Sequence, residues 1–433
     1  MKTNIPDHKF GRRGFLQAGT AAAAAAMVPR ATLGAAPAAA DLPAGFSALK
    51  PLGSCVHPIT PDEFRARLAR AQQLMTDAKP RFDGLYVTMG TSLYYFTGIR
   101  WGLSERVVAL LLPRSGDSIL ICPGFEEGRL REQLRFPIEI RVWQEDESPA
   151  RLAADVFAAR GVKSGRIAIE ETTRFTFYDH VRQAAPALEC VSADPITIGC
   201  RGRKSPQELA LMRLACEATF DVFRAAFGSL REGLSQDEIS QWVEAGFAKM
   251  GQRGGALVLI GESAALPHGT VKPRKLREGD VVLIDGGTSV DGYASDVTRT
   301  GIFGKASPKI QRAFEIVRKA QDAALDAARA GKLSGSVDDA ARAVITAAGY
   351  GPDYKFFPHR LGHGMGLDGH EHPYLVRGSK TVLEPGMTFS NEPGIYIPGE
   401  FGMRCEDDMV IAGEGPAQLL TPGFAPSLET PIA

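Results

Sequence analysis

Four carboxylates and one imidazole stand in the last third of this chain in a pattern suited to paired divalent cations: Asp285, Asp296, His363, Glu392 and Glu406. A single aspartate at a strand end is ordinarily a turn or capping residue. Two on one hairpin, matched by two glutamates on a second hairpin with a histidine between them, ask for another explanation. Four converging carboxylates without cations would be destabilised by burial and mutual repulsion, on the order of several kcal/mol. Two 2+ ions reverse that balance and leave charge for one hydroxide, which is the chemistry of a hydrolytic centre.

The elements that must carry these side chains are legible as strands and turns. Val281-Val282-Leu283-Ile284-Asp285 is an apolar run followed by Gly286-Gly287 and Asp291-Gly292, leading to Asp296. Thr388-Phe389-Ser390-Asn391-Glu392 is followed by Pro393-Gly394 and Pro398-Gly399, leading to Arg404-Cys405-Glu406. Apolar runs broken by Gly and Pro pairs read as buried strands joined by turns. Helical patterns precede each hairpin, at 205–227 and 235–250 and again within 308–331 and 337–349, so this region is duplicated in architecture but not obviously in sequence. The first of these helices opens on Ser205-Pro206-Gln207-Glu208, a capping box with proline in the first turn. Cys405, one residue from Glu406, should face the other way and pack.

Upstream, Thr60-Pro61-Asp62-Glu63 opens a helix to about residue 76. Strand-like runs follow at 84–89, 107–112, 118–121, 139–142 and 166–169, with helical patterns at 149–160 and 174–185. This is a mixed α/β domain, and the composition changes at 199–205. The expected division is 41–202 for the upstream domain and 203–433 for the one bearing the carboxylates.

Residues 1–40 are not counted as fold. They hold Gly11-Arg12-Arg13-Gly14-Phe15-Leu16-Gln17, a mild apolar stretch and the Ala-rich 35–40, the pattern of a twin-arginine export signal. An exported, periplasmic protein is the expectation, with no stable membrane insertion once the signal is removed. The segment holds five of the 50 basic and one of the 50 acidic residues, so the remainder carries 45 against 49, a net charge near −4. That is no nucleic-acid binder. Six cysteines without any C-x-x-C spacing imply neither a zinc knuckle nor a disulfide framework.

Taken together, Leu283-Ile284-Asp285-Gly286-Gly287, Ser295-Asp296-Val297-Thr298-Arg299-Thr300, Gly362-His363-Gly364-Met365-Gly366, Asn391-Glu392-Pro393-Gly394 and Arg404-Cys405-Glu406-Asp407 resemble the pita-bread metallopeptidases. The resemblance covers residues 205–415. An upstream domain of about 150 residues is similar to the aminopeptidase P and Xaa-Pro dipeptidase (prolidase) branch. It implies an α+β pita-bread catalytic domain preceded by an α/β creatinase-type N-terminal domain. It also implies two divalent ions, with Asp296 and Glu406 bridging, Asp285 on one ion, and His363 with Glu392 on the other. Mn²⁺ or Co²⁺ suits this donor set best, with Fe²⁺ and Zn²⁺ compatible. Glu392 is the implied proton shuttle. His268 and His370 match substrate-binding and catalytic histidines, His359 a pocket position, and Arg404 a site arginine whose rival role is charge balance. His372 departs from the pattern and suits a rim position. The expected reaction is hydrolysis of Xaa-Pro bonds in short peptides by a homodimer or homotetramer. The rival expectations are a lyase or hydrolase for a small non-peptide molecule on the same scaffold, and a catalytically dead binding protein.

Overall fold

The computed structural model describes residues 42–272 and 274–432. The twin-arginine segment lies outside these residues.

The chain first builds α1 (Pro61–Asp77), β1 (Gly84–Thr88), α2 (Thr91–Thr97), β2 (Ala109–Pro113), β3 (Ile119–Pro123), α3 (Glu127–Gln133), β4 (Glu139–Trp143), α4 (Pro149–Ala159), β5 (Gly165–Ile169), α5 (Phe175–Ala184), β6 (Leu188–Ser192) and α6 (Asp194–Arg201). The Thr60 hydroxyl caps α1 by accepting the Glu63 N–H. Six strands form one sheet in the order β4-β3-β2-β1-β5-β6. β2 runs antiparallel to both its neighbours, and the other pairs are parallel. Every residue of β1, β2 and β3 is buried, so these strands show as unbroken apolar runs.

After residues 202–205 come α7 (Pro206–Phe227), α8 (Gln236–Lys249), β7 (Gly254–Ile260), β8 (Val281–Val290), β9 (Tyr293–Ala294) and β10 (Val297–Ile302). The second half follows with α9 (Pro308–Ala327), α10 (Ser334–Ala347), β11 (Gly362–Gly364), β12 (Glu371–Leu375), β13 (Thr388–Asn391), β14 (Gly394–Ile397), β15 (Phe401–Arg404), β16 (Asp407–Val410) and β17 (Gln418–Leu419). Each half is a helix pair followed by antiparallel strands. α7 and α8 bury Phe220, Phe223, Trp242 and Phe247 against Val282 and Ile284 of β8. α9 and α10 bury Phe314, Val317 and Ile345 against Phe389, Met403 and Met409.

Two sheets result, β10-β8-β7 with β9 on β8, and β12-β11-β13-β16-β17, beside the hairpin β14-β15. They meet at a bridge between Thr298 and Glu406, where the Glu406 N–H donates to the Thr298 carbonyl (3.0 Å). Behind it, fully buried Arg299 pairs with Asp407 (2.6 Å) and donates to the carbonyl oxygens of Glu406 (2.7 Å) and Thr298 (3.1 Å). One guanidinium thus fastens both carboxylate-bearing segments from the rear. This is the α+β architecture with an α/β upstream domain that the sequence implied.

Charged groups also tie the upstream domain, and the segment that follows it through Lys204, to the carboxylate-bearing one. Arg67 of α1 meets Glu208 (3.2 Å) and the Tyr293 hydroxyl (2.9 Å). Arg201 of α6 pairs with both Asp368 and Glu371 (2.5 Å each), and Lys204 with Glu371 (2.6 Å). The Thr91 hydroxyl donates to Asp368 (2.6 Å). Asp368 and Glu371 flank His370.

Candidate metal centre

Asp285 lies within β8, where its register partners are Thr298 of β10 and Leu257 of β7. Asp296 precedes Thr298 by two residues and so shares its strand face. His363 sits in β11. Its backbone N–H donates to Ser390 Oγ (3.0 Å), and its Nδ1 lies 3.1 Å from the Gly364 carbonyl. A carbonyl only accepts, so the ring proton belongs on Nδ1 and Nε2 is left as the ligand atom. That Nε2 lies 3.4 Å from Glu392 Oε1 and 3.7 Å from Asp296 Oδ2. Glu392 follows β13, and Glu406 fills the break between β15 and β16.

The five residues, joined by His370, fall into overlapping sets whose ligand atoms lie within 4.8 Å of one another: Asp285, Asp296 and Glu406; His363, Glu392 and Glu406; and Asp296, His363 and His370. Asp296 and Glu406 therefore reach both the aspartate end and the histidine end. The Thr298 hydroxyl stands between Asp285 Oδ1 (2.8 Å) and Glu406 Oε2 (2.5 Å).

Electrostatics supplies the test of fit for cations. Burial, then Asp285, pushes Asp296 well above the usual carboxylate range. Burial, then Asp296, does the same to Glu406. Glu392 rises to about 8, chiefly through burial and the charge of Asp285, against the lowering effect of Arg404. Burial and the adjacent His370 hold His363 down at about 4, which keeps it neutral and able to ligate. Carboxylates that resist ionisation side by side, with a neutral imidazole aimed at them, form a donor set that divalent ions fit.

A single cavity of about 320 Å³ is walled by all nine residues singled out in the sequence, together with Arg360. Arg404 is almost wholly buried and its guanidinium is occupied by the protein. It contacts Asp285 Oδ2 (2.5 Å), Tyr396 Oη (2.7 Å), Thr298 Oγ1 (3.2 Å) and the Pro267 carbonyl (3.3 Å). This arrangement positions Asp285. The Tyr396 hydroxyl continues to His359 Nε2 (2.8 Å), whose Nδ1 faces the Arg360 carbonyl (2.8 Å). Burial, then Arg404, lowers His359 to about 3, so it is a neutral ring beside Glu392 Oε2 (3.8 Å). His370 stacks on His363 with centroids 3.6 Å apart and is exposed to the cavity. His268 is exposed on the cavity wall. His372 is also exposed, packs on Tyr374 and does not line the cavity. Cys405 is buried in the core under α9.

Sequence reading overlooked Thr298, Ser390, Tyr396 and Arg360. Thr298 and Ser390 had a signal: each is two residues from Asp296 or Glu392, which along extended chain means the same face. Asp408 was also overlooked; its Oδ2 accepts the Asp296 backbone N–H (3.0 Å) and lies 3.2 Å from Cys216 Sγ.

A cavity of carboxylates and histidines between two sheets is a donor set that divalent ions fit. The metallopeptidase family M24 model matches residues 210–412, and the creatinase/prolidase N-terminal domain model matches 67–202. The chain belongs to metallopeptidase family M24. It is similar to the uncharacterized peptidase SAS1635 of Staphylococcus aureus (strain MSSA476), at 32% identity over 77% of this chain and 93% of that one. Among solved structures, dipeptidase PepE from Mycobacterium ulcerans superposes with a TM-score of 0.78 at 31% identity, covering 85% of this chain and 98% of that one. The Xaa-Pro dipeptidase from Bacillus anthracis gives 0.74 at 29%, covering 83% and 98%.

Proposed function

We propose that this peptidase hydrolyses Xaa-Pro bonds in short peptides with two divalent ions. The observation that carries the reading is the sharing of Asp296 and Glu406 between the two ends of the donor set. Asp285 would complete one ion's shell, and His363 with Glu392 the other's. Mn²⁺ or Co²⁺ is the proposed pair, with Fe²⁺ or Zn²⁺ compatible. When bound, such ions polarise the scissile carbonyl and lower the pKa of a bound water towards about 7.

The chain's own groups supply the rest. Glu392 has one oxygen towards His363 and the other towards His359, and is placed to pass a proton to the leaving nitrogen. His370 and His268 face the same cavity and orient the substrate. Arg404 holds Asp285 and, through Tyr396, His359. The imide nitrogen before a proline ring carries no hydrogen, so recognition rests on carbonyl polarisation and protonation of the departing nitrogen. Likeness to the Bacillus anthracis Xaa-Pro dipeptidase supports the bond preference.

The test is release of the N-terminal alanine from Ala-Pro, Ala-Pro-Ala and Ala-Ala by metal-stripped protein, with and without Mn²⁺ or Co²⁺, and Asp296→Ala as control. Metal-dependent cleavage of Ala-Pro with Ala-Ala left intact is the expected result, and the rate on Ala-Pro-Ala relative to Ala-Pro separates dipeptidase from aminopeptidase action. Two bound ions with no cleavage would reject the reading and direct the search to small non-peptide substrates. Export through the twin-arginine route is proposed on Arg12-Arg13; a double Lys variant is expected to stay in the cytoplasm. A homodimer or homotetramer is proposed for light scattering to decide.

A further inference from the structure

We infer that Arg360 recognises the free α-carboxylate of the substrate and so makes the enzyme a dipeptidase. This rests on the peptidase reading above and adds the residue that sets substrate length.

Two arginines wall the cavity, and they differ in what they have left to give. Arg404 is engaged by Asp285, Tyr396, Thr298 and the Pro267 carbonyl. The Arg360 guanidinium makes no hydrogen bond or ion pair among the described residues and is exposed. Its contact is with a ring face: it lies 4.3 Å over Tyr374. Tyr374 is the register partner of His363 across β11 and β12, so the guanidinium lies alongside the strand that presents the histidine. Stacking uses the flat face of a guanidinium and leaves its edge, with paired N–H groups, free for a carboxylate.

The backbone around Arg360 is fixed on both sides. Arg342 of α10 donates to the carbonyls of Phe357 (2.8 Å) and His359, and its ion pair with Asp338 is buried (2.6 Å). Asp338 accepts the Leu361 N–H (2.8 Å), and the Leu361 carbonyl accepts the Glu392 N–H (2.9 Å). Arg360 is therefore one residue held between pinned neighbours, on the same segment that positions a metal-ligand glutamate. The charge of Arg360 is also felt at His370, where it reinforces the lowering caused first by burial.

The cavity's charge matches this role. Two 2+ ions balance its four carboxylates, and the three histidine rings other than His363 bring no acid. The guanidinium that stays unpaired then faces the space where a substrate must lie. At about 320 Å³ the cavity sits at the small end of the roughly 300–1,000 Å³ usual for small-molecule sites, which suits a dipeptide. In a dipeptide the only carboxylate is the one beside the departing residue. A longer peptide carries an uncharged amide there and would leave Arg360 without a partner.

The experiment compares Ala-Pro with Ala-Pro-amide in wild type, Arg360→Gln and Arg360→Lys, at measured and equal metal content. Wild type is expected to prefer the acid by about tenfold to a hundredfold in kcat/KM, the span of a charge-assisted pair. Arg360→Gln should lower the acid's kcat/KM by that factor more than the amide's, with the loss mainly in KM. Arg360→Lys should restore part of the preference, because it keeps the charge and loses the fork. Equal wild-type turnover of acid and amide, or an equal loss on both in Arg360→Gln, would overturn the assignment and leave the peptidase standing. Failure of metal-loaded wild type to cleave either compound would remove the peptidase and the assignment together.

Discussion

Glu371→Gln is the substitution most revealing of how the two domains cooperate. Glu371 follows His370 directly, and its carboxylate receives Lys204 on one oxygen (2.6 Å) and Arg201 on the other (2.5 Å). The side chains of Lys204, Glu371 and Arg201 are 2%, 8% and 9% exposed. Arg201 keeps Asp368 in the variant, but Glu371 is the one carboxylate paired with Lys204 among the described residues. Removing one partner of a buried pair costs about 3–5 kcal/mol, and the glutamine carbonyl still accepts one hydrogen bond, so about 3 kcal/mol is expected. At about 2–4 °C per kcal/mol for a domain of this size, the melting temperature should fall by about 6–12 °C. His370 loses an anchored neighbour, and displacement of a catalytic group by about 1 Å costs up to about a hundredfold in rate. Thermal melts and Ala-Pro kinetics at constant metal occupancy would measure both. Lys204→Met and the double variant complete the cycle, and the double variant should recover much of the stability because no lone ammonium remains. Burial by itself would raise the Glu371 pKa, but Lys204 and then Arg201 bring it below the usual carboxylate value. Its contribution is therefore complete above the unfolded pKa of about 4.3 and is lost as pH falls through the lower folded value. A melting temperature within about 2 °C of wild type, kcat unchanged, and strictly additive single variants would refute this account.

Metal-free protein should lose stability as pH rises from about 4 towards 8, because Asp296, Glu406 and Glu392 hold protons in the folded state that the unfolded chain has already released. Saturating Mn²⁺ should flatten that profile, and identical melting curves with and without the ion across this range would count against the charge cluster. Asp296→Asn should lower bound metal by mass spectrometry and reduce activity by more than the roughly 10- to 100-fold that outer partners contribute. The same variant without metal should melt at or above metal-free wild type, since one source of repulsion is gone; a lower value would contradict the electrostatic picture. His370→Ala should reduce kcat about 10²- to 10⁴-fold with metal content unchanged; loss of metal instead would make it a ligand-side residue.

The five candidate ligands were legible because chemistry and local order coincide: each lies in or beside a short apolar strand bounded by Gly or Pro. Five of the six strands of the upstream sheet, β1 to β5, were found within a few residues for the same reason. α2, α3, β6 and α6 were not anticipated. α2 runs Thr-Ser-Leu-Tyr-Tyr-Phe-Thr with all but its first residue buried, so no polar stripe marks a helical period. Arg360 and Tyr396 were missed because their significance lies in what meets them. Tyr396 joins Arg404 to His359, which is 37 residues away in sequence. Nothing local distinguishes the guanidinium of Arg360 from that of Arg404, yet one is consumed by neighbours and the other is not.

The clamp on the His370 loop changes what counts as a module in this chain. By sequence the seam falls between α6 and α7, and a protein engineer would cut there. Thr91, Arg201 and Lys204 lie on or before that seam, while Asp368 and Glu371 lie far beyond it. A graft of the catalytic half onto a foreign upstream domain would leave Asp368 and buried Glu371 without Arg201, next to the histidine that stacks on His363. Interchangeable parts here are defined by charge closure across the junction, and a working chimera has to exchange both sides of the clamp together.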